Sequence, residues 1–159
     1  MGCVNTPRAT VESWYGASAA WRIPLERDAF RLYGRQIRLH QTATTLTYIH
    51  AGLRVRGRVD PVPVAIQFDI HPRYGLAAKD YPRVFADPGA QSKHRMLDDS
   101  LCLYYVGDPA DRRWTSDKGL LSLLGLIADH LFFEGYWRST GGESKGLWLA
   151  PEAPHGFAA

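Results

Sequence analysis

Hydrophobic and polar positions change their period twice along this chain, and the changes divide it into a helical, a strand-rich and a second helical stretch. Residues 9–21 put Trp14, Ala17, Ala20 and Trp21 on one side of a helix that Gly16 weakens. Pro24 suits the first turn of a second helix, predicted from Leu25 to about Arg38. Phe30, Tyr33 and Ile37 give that helix an apolar stripe at spacings of three and four, and Arg27, Arg31, Arg35 and Arg38 form a basic stripe of the same period. Gly34 interrupts it. From Thr44 the period shortens to two. Residues 44–50 are dense in β-branched side chains, residues 53–56 and 64–70 alternate, and Asp60-Pro61-Val62-Pro63 marks a turn between them. A third short strand is predicted at Arg83–Phe85, and a fourth over residues 101–106, ending at Gly107-Asp108-Pro109.

After Trp114 the helical period returns. Ser116 or Asp117 is placed to cap a helix whose Leu120, Leu121, Leu124, Ile127, Ala128 and Leu131 form a broad apolar face. Gly141-Gly142 ends it. The tail from Leu147, with Pro151, Pro154 and Gly156, reads as an irregular strap that Trp148 anchors to the body. A helix, a four-stranded meander and a long helix, in that order, predict an α+β domain over residues 24–140, with an N-terminal extension (1–23) and an irregular tail (141–159).

Length and composition add bounds. A chain of 159 residues, 45% hydrophobic and 22% charged, supports one core of ordinary soluble type. No segment has the length and apolarity of a membrane span, no repeat occurs, and residues 1–8 lack the apolar region of a secretory leader, so a cytoplasmic location is expected. Met1-Gly2 with Thr6 matches a short myristoylation pattern that also arises by chance. A net charge of +3 permits an acidic partner without requiring nucleic acid. The two cysteines, Cys3 and Cys102, suggest neither a structural disulfide nor a zinc site, and His40, His50 and His71 show no metal-ligand spacing. A lone interior cysteine is either a buried small hydrophobe or a nucleophile.

A succession of short motifs surrounds Cys102. Tyr81-Pro82-Arg83-Val84 precedes His94 and Leu101-Cys102-Leu103. Trp114-Thr115-Ser116 follows, then Leu120-Leu121-Ser122-Leu123-Leu124. From about Leu46 to Leu131 this succession resembles the ubiquitin-conjugating-enzyme family, in which an N-terminal helix and a four-stranded antiparallel meander lead to an extended segment with the catalytic cysteine, then a tryptophan and a crossing helix. The resemblance implies a ubiquitin-conjugating-like (UBC-like) fold and a transferase that carries a protein C-terminus as a thioester on Cys102 and delivers it to lysine as an isopeptide bond. It implies no metal or organic cofactor. The family's His-Pro-Asn triplet is missing, Lys93-His94-Arg95 standing near its place. The interval from Cys102 to Trp114 is longer than usual, and the last two family helices are replaced by residues 136–141 and a Pro-Glu-Ala-Pro-His-Gly tail. These departures resemble the compact bacterial conjugating proteins of CBASS antiphage operons, which implies a cyclic-oligonucleotide synthase as cargo and a role in antiviral defence.

Each candidate residue has a plainer reading beside its catalytic one. Leu101 and Leu103 on one strand face leave Cys102 on the other, and Lys93, Arg95, Arg112 and Arg113 lie in segments able to approach it and favour its thiolate. His94, eight residues before Cys102, occupies the separation of the family's asparagine; it either donates to the oxyanion or is an exposed loop histidine. His130 is a second base or a hydrogen-bonded histidine at the core edge, and His155 in the tail is a weaker candidate. Asp108 and Asp111 either orient the acceptor lysine, as the resemblance implies, or serve an ordinary turn at Asp108-Pro109. The stripe Arg27, Arg31, Arg35 and Arg38 is a solvated face or, by the resemblance, a docking surface for an activating enzyme; Arg54, Arg56 and Arg58 form a second basic row. With no phosphate-binding loop present, ATP use would belong to that separate enzyme. Two further readings compete: an inactive conjugating-fold module that binds protein partners, and a basic nucleic-acid binder, which the scatter of aromatics away from the basic rows disfavours.

Overall fold

A computed structural model describes residues 14–71 and 79–151. The elements run α1 (Ala19–Tyr33), β1 (Ile37–Gln41), β2 (Thr45–Leu53), β3 (Val62–Asp69), β4 (Arg83–Phe85), α2 (Gly119–Ser139) and the short α3 (Gly142–Lys145). The strands form one antiparallel sheet in the order β1-β2-β3-β4. This is an α+β domain in which one helix precedes a meander and a long helix follows it. No helix of the described residues is long and apolar enough to cross a membrane.

Several boundaries differ from the sequence expectation. Ser18 caps α1, its hydroxyl accepting from the Trp21 amide at 3.4 Å, so Pro24 lies inside the helix rather than at its first turn, and the expected division at residues 23 and 24 falls within α1. Trp14 and Tyr15, placed in an extension by the sequence reading, are core residues: Tyr15 stacks on Phe68 with centroids 3.9 Å apart. Of the helix expected over residues 9–21, residues 14–17 form a turn, residues 19–21 open α1, and residues 9–13 lie outside the described residues. Gly34, at φ 52°, stops α1 in a conformation that a Cβ disfavours. Ile37 and Arg38 therefore belong to β1, paired with β2 through Ile37–His50 and Arg38–Ile49. The four-stranded meander thus begins one strand earlier than predicted. Val62 and Pro63 belong to β3 instead of a turn, and residues 101–106 make only an isolated bridge.

The core joins the inner face of the sheet (Leu46, Tyr48, Val64, Ile66, Phe68) to Leu120, Leu123, Leu124, Ile127 and Leu131 of α2. Ser116 and Asp117 form a 3₁₀ turn rather than capping α2, which starts at Gly119 after a residue with no side-chain cap. Trp114 is buried under this turn and donates its indole N–H to the Gly119 carbonyl at 2.9 Å. That bond ties the segment after Cys102 to the first turn of α2.

Candidate functional site

Cys102 leaves the sheet on a tight hairpin. The Leu101 amide donates to the Val84 carbonyl at 2.8 Å, tying the hairpin to β4. Arg95 and Leu101 form an antiparallel bridge, closed by bonds from Met96 N to Ser100 O and from Cys102 N to His94 O at 2.8 and 2.9 Å. Asp99, at φ 67°, takes the left-handed turn position that a short polar side chain tolerates. Moving one residue outward from the bridge puts His94 opposite Cys102. Residues directly opposite in an antiparallel pair share a face, with Cβ atoms about 4.5–5.5 Å apart. Leu101 is buried and Cys102 half-buried, so the alternation leaves the thiol on the accessible side.

Helix α2 supplies the floor. His130 forms a hydrogen bond with the backbone of His94, the residue whose carbonyl also receives the Cys102 amide. Burial, then the neighbouring His94 and Arg95, push the His130 pKa down to about 3 against the opposing effect of that bond. The ring is therefore neutral at physiological pH. Its Nε2 is 3.9 Å from Glu134 Oε2, which is neither an ion pair for a neutral ring nor a hydrogen bond by length, and this buried nitrogen has no hydrogen-bond partner. Trp148, on the strap beyond α3, closes the cluster, its ring centroid 4.4 Å from that of His94 and 5.3 Å from that of His130.

One turn further along α2, fully buried Glu134 accepts two hydrogen bonds from Arg95, Nε to Oε2 at 3.1 Å and Nη2 to Oε1 at 2.8 Å. Arg95 also donates to Asp99 Oδ1 at 3.2 Å and to the Asp87 carbonyl at 3.1 Å. Burial alone would lower its pKa, but the Glu134 and Asp99 contacts outweigh that and raise it. Arg138 approaches Glu134 from the next turn at 3.5 Å. The hairpin bearing Cys102 is thus pinned to α2 by a bidentate ion pair spanning 39 residues of sequence.

The electropositive setting expected for the thiol is not what this arrangement provides. Arg95 is committed to Glu134 and Asp99, and Arg113 donates to the Asp108 carbonyl at 3.0 Å. Burial pushes the Cys102 thiol pKa up, leaving the protonated form dominant at neutral pH. Asp108 sits in a turn closed by its own amide on the Tyr105 carbonyl at 3.0 Å. Asp111 and Arg112 instead line a cavity of about 200 Å³ with Leu103, Tyr104 and Ser122, beginning one residue beyond the cysteine.

The arginine stripe is divided by the end of α1. Arg27 and Arg31 are exposed on the helix, Arg35 lies in the 3₁₀ turn that follows, and Arg38 is on β1. Arg31 meets Asp28 at 3.8 Å in a largely exposed pair, a contact of little energetic weight. His155 and Cys3 lie outside the described residues. Among the described residues, no group of three or more His, Cys, Asp or Glu is arranged to hold a metal ion.

The structure therefore sets Cys102 opposite His94 in the hairpin, bonds His130 to the His94 backbone, and leaves Asp108 in its turn. Sequence reasoning missed Glu134 and Arg95 as a pair; the only available signal was a glutamate at the position four after His130 on an otherwise apolar helical face. No family model, curated protein or solved structure matches this chain.

Proposed function

We propose that this protein is a conjugating-enzyme-like acyl carrier, with the UBC-like variant of its α+β architecture and Cys102 as the acceptor of a protein C-terminus. The observation that carries the reading is the register placing a half-buried Cys102 opposite His94, on a hairpin tied to the last strand of a four-stranded meander. A cysteine suits the task because its thioester remains reactive toward amines. In loading, the Cys102 thiol gives its proton to a base on the partner, its sulfur bonds to the carbonyl carbon of an activated C-terminus, and the donor's thiolate leaves and takes up that proton. In discharge, an acceptor amine attacks that carbon, the carbon–sulfur bond breaks, and the amine's proton passes to a base. On this reading the His94 imidazole donates to the oxyanion or takes that proton. The resemblance to CBASS conjugating proteins makes a cyclic-oligonucleotide synthase the proposed cargo, with activation by ATP on a separate enzyme.

The raised thiol pKa bears on this chemistry from two directions. It makes Cys102 a weak nucleophile until a partner takes its proton, and it makes the sulfur a poorer leaving group, which slows loss of the cargo to water. The same protonated thiol favours a second reading, a conjugating-fold module that binds partners without chemistry. Incubation with an activating enzyme and its cargo separates them on non-reducing gels. The carrier gives a reductant-sensitive adduct that Cys102→Ser converts to a reductant-stable ester or abolishes; absence of an adduct with a cognate partner pair supports the binding module.

A further inference from the structure

We propose that Trp148 is a positioning residue for this site: its indole, carried on the strap beyond α3, lies across the imidazoles of His94 and His130 and holds both in fixed orientation beside Cys102. The proposal rests on the reading of Cys102 as acyl carrier.

Three neighbouring strap residues divide sharply. Leu147 and Leu149 are 57% and 50% exposed, whereas Trp148 turns inward. Its ring partners are not the aliphatic core but His94 at 63°, His130 at 68° and Phe133 at 5.9 Å. The first two are edge-to-face arrangements, which restrict ring rotation as well as bury area. The strap itself is fixed at its root. The Leu147 amide donates to Thr140 Oγ1 at 2.8 Å and the Gly146 amide to the Gly142 carbonyl at 2.7 Å. A Cβ on Gly146 would lie 2.6 Å from the Trp137 carbonyl oxygen, so the chain passes α2 where only glycine fits. Lys93 places its ammonium 6.0 Å from the indole centroid, on the same residue pair as His94.

The indole thus does two things: it fixes the ring that faces the thiol, and it keeps water from the ring beneath. His130 carries a buried, unpaired Nε2, which water would otherwise satisfy. The charged or titratable groups around the two imidazoles are Lys93, Arg95 and Cys102 from the hairpin and Glu134 and Arg138 from α2. Of these, Lys93 alone contacts the indole, so a Lys93→Met control separates the loss of its cation–π contact from the effect on the imidazoles.

The test pairs a structural and a kinetic readout on Trp148→Ala and Trp148→Phe. In the free protein, NMR titration of the His130 ring should move up by about one unit or more in Trp148→Ala, as water relieves its desolvation, and stay near wild type in Trp148→Phe. In single-turnover discharge of the thioester to free lysine, Trp148→Ala should lower the rate at saturating lysine about tenfold, part of the roughly 10²–10⁴ that a positioned acid–base group supplies. Half-saturating lysine and the loading rate should stay within about twofold, and Trp148→Phe should recover most of the loss. Unchanged His130 titration in folded Trp148→Ala overturns the proposal, as does a loss confined to loading. If wild type forms no thioester with a cognate pair, the acyl-carrier reading fails, and with it the kinetic role of Trp148, whereas the ring titrations still decide whether the indole orders the imidazoles.

Discussion

Two buried glutamates organise this protein, and the contrast between them separates what holds the fold from what holds the site. Glu26, on α1, accepts from Arg22 one turn earlier at 2.5 Å and from the Tyr48 hydroxyl of β2. The Tyr15 and Tyr48 hydroxyls lie 3.4 Å apart, and burial raises the pKa of Tyr15 to about 12 and that of Tyr48 further. This network lies on the N-terminal side of the sheet, and its work is to let a helix with a charged inward face, Arg22, Glu26 and Ala29, sit against the core. Glu134 meets an arginine 39 residues away, and its partner belongs to the hairpin that carries the cysteine. One carboxylate anchors a helix to a sheet; the other ties to α2 the hairpin that carries Cys102.

Removing Glu134 should have the largest effect. Glu134→Ala strands Arg95 in a buried position, and loss of one partner of such a pair costs about 3–5 kcal/mol. Denaturant melts read the loss, and amide exchange at Cys102 should accelerate beyond the global change; protection at Cys102 that merely follows global stability would separate Glu134 from the site. Glu26→Gln keeps an acceptor for Tyr48 and should cost about 1–3 kcal/mol, with the exchange rate at Cys102 following global stability alone. A selective change at Cys102 in this variant would erase the distinction between the two carboxylates.

The third effect depends on pH. His130 is held near a pKa of about 3 when folded, against an ordinary value of about 6.5 in the unfolded chain. Between these values the unfolded state binds more protons, so the His130 contribution to stability falls as pH drops below about 6.5, by up to about 1.4 kcal/mol per pH unit, and levels off below about 3. His130→Gln removes that dependence, and melts at pH 7 and pH 5 should differ less in the variant than in wild type. An equal difference in both would place the ring in water. The smallest stability effect is expected on the exposed rim. Arg31→Glu with Arg35→Glu should change stability by less than about 0.5 kcal/mol while slowing Cys102 loading roughly threefold at low salt, an effect that fades as salt rises. Salt-independent loading would remove the stripe from the docking surface.

How much of this was legible in the sequence follows from which contacts are local. The period of Leu120, Leu124, Ile127 and Leu131 is a property of one segment, and α2 appears where that pattern predicts it. Strand β1 was hidden because Ile37 continues the spacing of Phe30 and Tyr33, so the helical period runs through a helix end that only the positive φ of Gly34 reveals. Residues 101–106 have strand-like alternation but engage the preceding hairpin arm only at Leu101 and Cys102 before the turn at Tyr105 begins, so propensity found no ladder to join. For the site, Cys102 and His94 are singled out by the resemblance of the motif order to the conjugating-enzyme family, in which their eight-residue separation is that of the family's asparagine. Arg95 with Glu134, and Trp148 with the two imidazoles, are products of tertiary packing, and no spacing in the chain announces them.

The burial that lifts the Cys102 thiol has a consequence outside acyl transfer. Peroxides and alkylating agents react with the anion of sulfur far faster than with its conjugate acid, so this cysteine is slow to become a sulfenic acid and a poor handle for iodoacetamide at neutral pH. With one cysteine among the described residues, that reticence favours the reduced form of its sulfur. On the acyl-carrier reading proposed above, its reactivity is switched on by the partner that takes the proton, and not by the surrounding medium.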